Sequence, residues 1–143
     1  MEEEFFDSYF RLISHNIYYS CDEKLKSVGI THQQGRLLEI IYDNIQAGHM
    51  IRRQILEEIM GLRGPTVTSL LNGLESRGLI KRTVNPEDRR AMQLVMTPQG
   101  IELVKDIRKI FAELEKRLLK SMTKEEIQTL KLLLRKVYHN LKS

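Results

Sequence analysis

Apolar residues recur along this chain at two distinct periods, and the change between them marks its architecture. Phe6, Phe10, Ile13, Ile17, Cys21, Leu25 and Val28 follow one another at three- and four-residue steps, which predicts an amphipathic helix over 2–27 closed by Gly29. Thr31 with Gln34 three residues on forms a capping box. The helix it opens carries Leu37, Leu38, Ile41 and Ile45 and ends before Gly48. A short third helix over 52–60 is expected to bury Ile55, Leu56, Ile59 and Met60, although Arg52 supplies no capping oxygen. After the turn Met60-Gly61-Leu62-Arg63, Val67, Leu70, Leu71 and Leu74 form the stripe of a fourth helix, with Gly64 as its cap, Pro65 as its first helical residue and Gly78 at its end. The period then shortens. Residues 79–84 and 91–96 read as strands, joined by the turn Asn85-Pro86-Glu87-Asp88-Arg89-Arg90 with Asn-Pro as its breaker. From Thr97-Pro98 the helical period returns. Val104, Ile107, Phe111, Leu114 and Leu118 make a heptad-like seam to about Ser121. Thr123 and Glu126 cap a last helix bearing Ile127, Leu130, Leu134, Val137 and Leu141.

The pattern predicts a mainly α fold with a small β-hairpin wing: a winged helix-turn-helix with N- and C-terminal dimerisation helices. A single domain over 1–143 is expected, with 30–97 as the winged-helix DNA-binding part and 1–29 and 98–143 as the dimerisation helices. The terminal helices have more apolar surface than a small winged helix can cover alone, which favours burial in a two-fold homodimer.

The chemistry lies on the fourth helix. Opposite its apolar stripe stand Pro65, Thr68, Ser69, Asn72 and Ser76, small and uncharged. A helix entering a DNA major groove needs short hydrogen-bonding groups there, so that its backbone approaches the base edges. Thr66, Thr68, Ser69 and Asn72 are therefore the candidates for base readout. Asparagine is suited to bidentate pairing with adenine, and Pro65 to a thymine methyl. Arg90, on the hairpin tip, is placed for the minor groove, where negative potential is concentrated. Arg89, Lys81, Arg82 and Arg63 fit phosphate contacts, which position a protein without reading sequence. The bland alternatives are a solvated polar face and an exposed ion pair at the tip, the latter worth only ~0–1 kcal/mol.

The chain also resembles the multiple-antibiotic-resistance regulators, the MarR family. The resemblance is carried by Thr66-Val67-Thr68, by Leu74-Glu75-Ser76-Arg77-Gly78-Leu79-Ile80, by Asp88-Arg89-Arg90 and by Leu94-Val95-Met96-Thr97-Pro98-Gln99-Gly100. Ile13-Ser14-His15, Ile30-Thr31-His32-Gln33-Gln34-Gly35 and Arg63-Gly64-Pro65-Thr66-Val67 look like the branch that represses multidrug efflux pumps. The resemblance implies a homodimeric repressor on a pseudo-palindromic double-stranded DNA operator, with interlocking terminal helices. It also implies a small-molecule pocket between those helices and the winged helix, and an Asp88 that orients Arg90.

Charge agrees by location more than by size. The net charge is only +4, but residues 63–90 hold six basic side chains against three acidic ones, and the first ten residues hold four acids and no base. No apolar run approaches the ~18 residues of a membrane span, and the acidic start is unlike a secretory leader. A cytoplasmic protein with no membrane partner is expected. Cys21 lies within an apolar stripe and reads as a buried structural cysteine. The competing reading, a cysteine-based redox sensor, belongs to one branch of the resembled family. His15, His32 and His49 lack metal-ligand spacing, so neither a metal nor a cofactor is expected, and no catalytic motif supports an enzyme. Six of the nine aromatics fall within the first nineteen residues. Such walls suit a small apolar or cationic effector, or equally a dimer core. The alternative from another class is a winged-helix protein–protein adaptor, against which the small polar face of the fourth helix lacks large anchors.

Overall fold

The structure is a computed structural model and describes residues 5–88 and 91–142. Six helices and three strands run in the order α1 (Phe6–Ser27), α2 (His32–Gln46), β1 (Ile51–Arg52), α3 (Arg53–Met60), α4 (Gly64–Ser76), β2 (Ile80–Val84), β3 (Ala91–Met96), α5 (Pro98–Leu118) and α6 (Lys124–Lys142). The described residues fall into two compact units, divided between Phe111 and Ala112 within α5.

In the first unit the helix ends follow the capping chemistry. Thr31 Oγ1 accepts from the Gln34 N–H at 3.2 Å, and the Thr31 N–H donates to Gln34 Oε1 at 3.1 Å. Gly61 takes φ +66° as the C-cap of α3, the left-handed conformation that lets the chain turn sharply into α4. The core is built from Leu25, Ile30, Leu37, Leu38, Ile41, Leu56, Val67, Leu71, Leu74, Leu79, Ile80, Val104 and Ile107, all at most 3% exposed. It sits behind α4, so that helix is held by its apolar stripe and leaves its polar face open.

The wing is a tight antiparallel ladder, with Ile80 opposite Met96, Arg82 opposite Leu94 and Val84 opposite Met92. Inward residues Ile80, Leu94 and Met96 are buried, whereas Lys81, Thr83 and Val95 face out. The chain adds a strand that its periodicity does not announce. Ile51–Arg52 pairs with β3, Ile51 opposite Met92 and Arg52 opposite Ala91, giving the order β1-β3-β2. Two residues are too few to show an alternation.

Two expectations are corrected. Of the apolar residues expected to be buried in α3, only Leu56 is; Ile55 and Ile59 are 40% and 52% exposed, and Met60 is intermediate. A helix of eight residues packed on one side offers room for little more than one fully buried position. The opening of α4 also shifts by one residue: Arg63 is the N-cap and Gly64 the first helical residue, which leaves Pro65 still within the first turn, where its missing N–H costs nothing.

Helix α1 is buried only towards its end, at Cys21 (2%) and Leu25 (0%), apart from the small Ser8 (8%). Phe5, Phe6, Tyr9, Phe10, Leu12, Ile13, Tyr18 and Tyr19 are all exposed in the single chain. In the second unit, Thr123 and Glu126 form the expected reciprocal cap of α6. No residue of α6 is buried, and Leu132, Leu133, Leu134, Val137, Tyr138 and Leu141 are exposed.

Candidate nucleic-acid interface

Helix α4 presents a shallow groove of about 430 Å³ lined by Arg53, Gly64, Pro65, Thr68, Ser69 and Asn72. The period of the helix produces it: Pro65, Thr68, Ser69 and Asn72 follow at steps of three, one and three, on the side away from buried Val67, Leu71 and Leu74. Four of the five predicted base-reading residues are thus brought together. Thr66, the fifth, is exposed but lies outside the lining. Arg53 is the one charged residue among those that line it, and the Glu57 carboxylate lies next to Gly64 at its edge.

Arg53 is the first residue of α3, and its Nη1 donates to Thr68 Oγ1 at 3.3 Å. A second arginine reaches α4 from the wing. Arg82 Nη2 donates to Asn72 Oδ1. It also donates to Glu75 Oε1 at 3.2 Å, while the Arg82 backbone N–H donates to Glu75 Oε2 at 3.0 Å. Arg82, expected on phosphate, has Nη2 turned onto α4 and its side chain is only partly exposed. Lys81, its neighbour on the strand, points the other way and is exposed, as is Arg63 at the start of α4. These two remain available to an anionic backbone.

A third arginine holds the wing tip. Arg52 Nη2 lies 2.7 Å from Asp88 Oδ2, which ties β1 to the end of the hairpin turn. Asp88 is thus engaged from the helix-turn-helix side. Arg89 and Arg90, including the expected minor-groove contact, lie outside the described residues. Arg52, Arg53 and Glu75 were not anticipated as parts of the site. The signal for two of them was the adjacent basic pair at the head of α3, which is more charge than a helix N-terminus favours.

A separate cluster sits where α1, α2 and α5 meet in the first unit. The His32 ring lies 6.0 Å from that of Tyr18 and 5.3 Å from that of Phe111, and the Arg36 guanidinium stacks 3.5 Å above Phe111. Burial, and then the charge of Arg36, lower the pKa of His32 below the usual imidazole value. Its Nε2 is buried without a hydrogen-bond partner. Beside it, burial raises the pKa of Glu39 despite the opposing charges of Arg36 and Arg108. Arg108 also pairs with Asp43, fastening α5 to α2. No group of three or more potential metal-ligating side chains occurs among the described residues.

This geometry can be set beside known proteins. A family model described as MarR family matches residues 28–91. The structure of the S. aureus MepR–DNA complex aligns with a TM-score of 0.86 at 34% identity, covering 96% of each chain. The chain belongs to the MarR family. MepR bound to ethidium bromide aligns with a lower TM-score, 0.55, at 33% identity over 99% of each chain. The transcriptional repressor IacR of Pseudomonas putida is 30% identical over 78 residues, 54% of this chain. The chain spans only 47% to 59% of the length of the curated relatives it matches. Within this MarR-family chain, α3 and α4 are the helix-turn-helix, and β2 with β3 are the wing.

Proposed function

We propose that this chain is a sequence-specific DNA-binding transcriptional repressor that acts as a homodimer in the cytoplasm, and is a regulator rather than an enzyme. The observation that carries the proposal is the open groove on α4, where Pro65, Thr68, Ser69 and Asn72 stand beside Arg53. Hydroxyl, amide and apolar groups of that size match base edges, and exposed Arg63 and Lys81 match phosphates. Arg90 is proposed for the minor groove, with Asp88 orienting it and Arg89 on the phosphates. The winged helix would comprise 30–97. The apolar faces of α1 in one unit and α6 in the other support a role for 1–29 and 98–143 in pairing two copies, which would set two recognition helices on half-sites ~34–36 Å apart.

An effector is proposed at the cluster of Tyr18, His32, Arg36 and Phe111. Arg36 covers one face of Phe111, which leaves the Tyr18 ring to meet a flat apolar or cationic compound, and MepR has a structure with ethidium bromide. Such a compound releases DNA if it binds better to the form with misplaced recognition helices. A difference of ~1–3 kcal/mol is enough for a useful response.

The test is fluorescence anisotropy on DNA from upstream of the chain's own gene, against scrambled DNA, across salt concentrations. Specific binding at ~10⁻⁸–10⁻¹¹ M well above the scrambled control is expected. Equal, weak binding to both DNAs, lost together as salt rises, would sink the proposal.

A further inference from the structure

Three arginines reach α4 or the hairpin turn from neighbouring elements, and they differ in what they bond. Arg52 Nη2 lies 2.7 Å from the Asp88 carboxylate, and Arg82 Nη2 lies 3.2 Å from that of Glu75. Arg53 bonds a neutral group instead, the Thr68 hydroxyl, through Nη1 at 3.3 Å. A Cβ built at Gly64 would stand 3.8 Å from Arg53 Nε and 3.0 Å from Glu57 Oε1, so both side chains of α3 reach the first turn of α4. Even so, among the described residues the ion pairs around α4 take up Arg52 and Arg82 and leave Arg53 without a carboxylate. Arg53 is exposed, and it lines the groove from α3, whereas Gly64, Pro65, Thr68, Ser69 and Asn72 line it from α4. A guanidinium has five N–H donors and a fixed charge, and the contact with Thr68 uses one of them.

We propose that Arg53 is a further DNA-contacting residue, which grips a backbone phosphate beside the bases that α4 reads. The proposal rests on the reading of α4 as a major-groove helix. A helix laid in that groove sets its own face on the base edges, and the helix before it crosses the sugar–phosphate backbone. Arg53 opens that preceding helix and forms the wall of the groove on its side. A guanidinium with no carboxylate of its own meets a phosphate there in a charge-assisted bond, and two of its N–H groups can serve two phosphate oxygens at once. Arg52 and Arg82 lack that freedom, since each would first have to leave a carboxylate. The bond to Thr68 holds the Arg53 guanidinium towards the groove, so part of its rotamer freedom is given up before DNA arrives. Phosphate contacts carry no sequence information, so Arg53 strengthens binding to every variant of the operator alike.

The test uses the full chain and DNA that the native protein binds specifically, with single-base variants of that DNA, over a range of salt. Arg53→Met keeps the aliphatic stem and removes the charge. It is expected to weaken binding by about tenfold for each half-site, the scale of one hydrogen bond to a charged group. The slope of log affinity against log salt should become shallower by about 0.9 for each half-site, hence by about 2 for a two-fold dimer. The loss should be the same for every single-base variant. Arg53→Lys keeps a charge without the planar fork, and should restore the native slope but only part of the affinity. Arg53→Gln takes the place of Arg53→Met if that variant fails to fold, as judged by circular dichroism. A native salt slope in Arg53→Met, whether or not affinity falls, overturns the proposal, because a merely structural role leaves the number of neutralised phosphates unchanged. So does a loss confined to one operator position, the mark of a base contact. Each of these leaves the regulator reading intact; a native protein that prefers no DNA over scrambled DNA sinks that reading and this inference together.

Discussion

Gly100→Ala tests the junction where the end of α4, the start of the wing and the start of α5 converge. A Cβ at Gly100 would stand 2.1 Å from the Leu79 carbonyl oxygen and 3.1 Å from its carbon. That is about 1 Å closer than non-bonded atoms tolerate. The carbonyl has little freedom to retreat, because it accepts from the Thr97 backbone N–H at 3.2 Å, and the Thr97 hydroxyl, shared between the Gly78 and Leu79 carbonyls at 2.7 and 3.1 Å, packs against it. Thr97 Oγ1 in turn accepts from the Gly100 N–H at 3.0 Å, capping α5. The first turn of α5 must therefore move away from Leu79 and Ile80, each 1% exposed. Overpacking of this kind costs ~1–3 kcal/mol, and weakening the Thr97 cap adds up to ~1 kcal/mol. A total of about 3 kcal/mol, at roughly 4 °C per kcal/mol for a chain of this length, lowers Tm by about 12 °C. Far-UV circular dichroism melts at one fixed protein concentration measure it, since association makes Tm depend on concentration. Gly48→Ala is the companion variant. It has φ +73° but nothing within 4 Å of its Cβ, so it should cost only the ~1–2 kcal/mol of left-handed backbone. If Gly100→Ala melts no lower than Gly48→Ala, the close approach at Leu79 is not the constraint described.

Two further predictions concern other parts of the chain. His32 has a lowered folded-state pKa, caused first by burial and then by Arg36. The folded state thus binds its proton less readily than the unfolded chain, so its contribution is full above about pH 6.5 and is lost as pH falls through the unfolded value towards the folded one. His32→Phe should flatten the Tm profile across that window, and a slope identical to the native one would remove His32 as its source. Phe6 is 89% exposed in the single chain; if it helps to pair two copies, Phe6→Asp should convert dimer to monomer in sedimentation velocity at micromolar protein, and an unaltered dimer would remove α1 from the interface.

What the sequence made legible was whatever a local rule decides. The box of Thr31 and Gln34, the left-handed Gly78 and the strand pair around Asn85-Pro86 each depend on residues a few positions apart, and each is found where the pattern places it. The groove residues Pro65, Thr68, Ser69 and Asn72 were legible for the same reason: the period of one helix puts them on one face. The partners of those residues were not. Arg53 lies fifteen positions from Thr68, Arg82 ten from Asn72, and Arg52 thirty-six from Asp88. No periodicity relates them, since each pairing depends on how α3 and the wing pack against α4. Arg82 is a further case, a basic residue of the wing that is engaged by α4 itself. Its charge and position on β2 fit a phosphate contact, and only the geometry turns it inward.

These three arginine pairings change how the site should respond to movement of its frame. Thr68, Asn72 and Asp88 are each held by a guanidinium from a neighbouring element, so none of their orientations is a property of α4 or the hairpin turn alone. Arg82 begins two residues after Ile80, and Ile80 follows the Leu79 carbonyl that abuts Gly100. A displacement of about 1 Å at that junction is small for a phosphate contact but is a large part of the range over which a hydrogen bond holds. If α4 reads bases as proposed, movement of α5 against the wing should therefore disturb the part played by Asn72 before it abolishes binding. In Gly100→Ala at a temperature well below its Tm, any base preference contributed by Asn72 should weaken, while preferences contributed by the rest of α4 stay in place. A uniform fall in affinity at every position would show instead that α4 and the wing move as one body, with the Arg82 contact carried along intact.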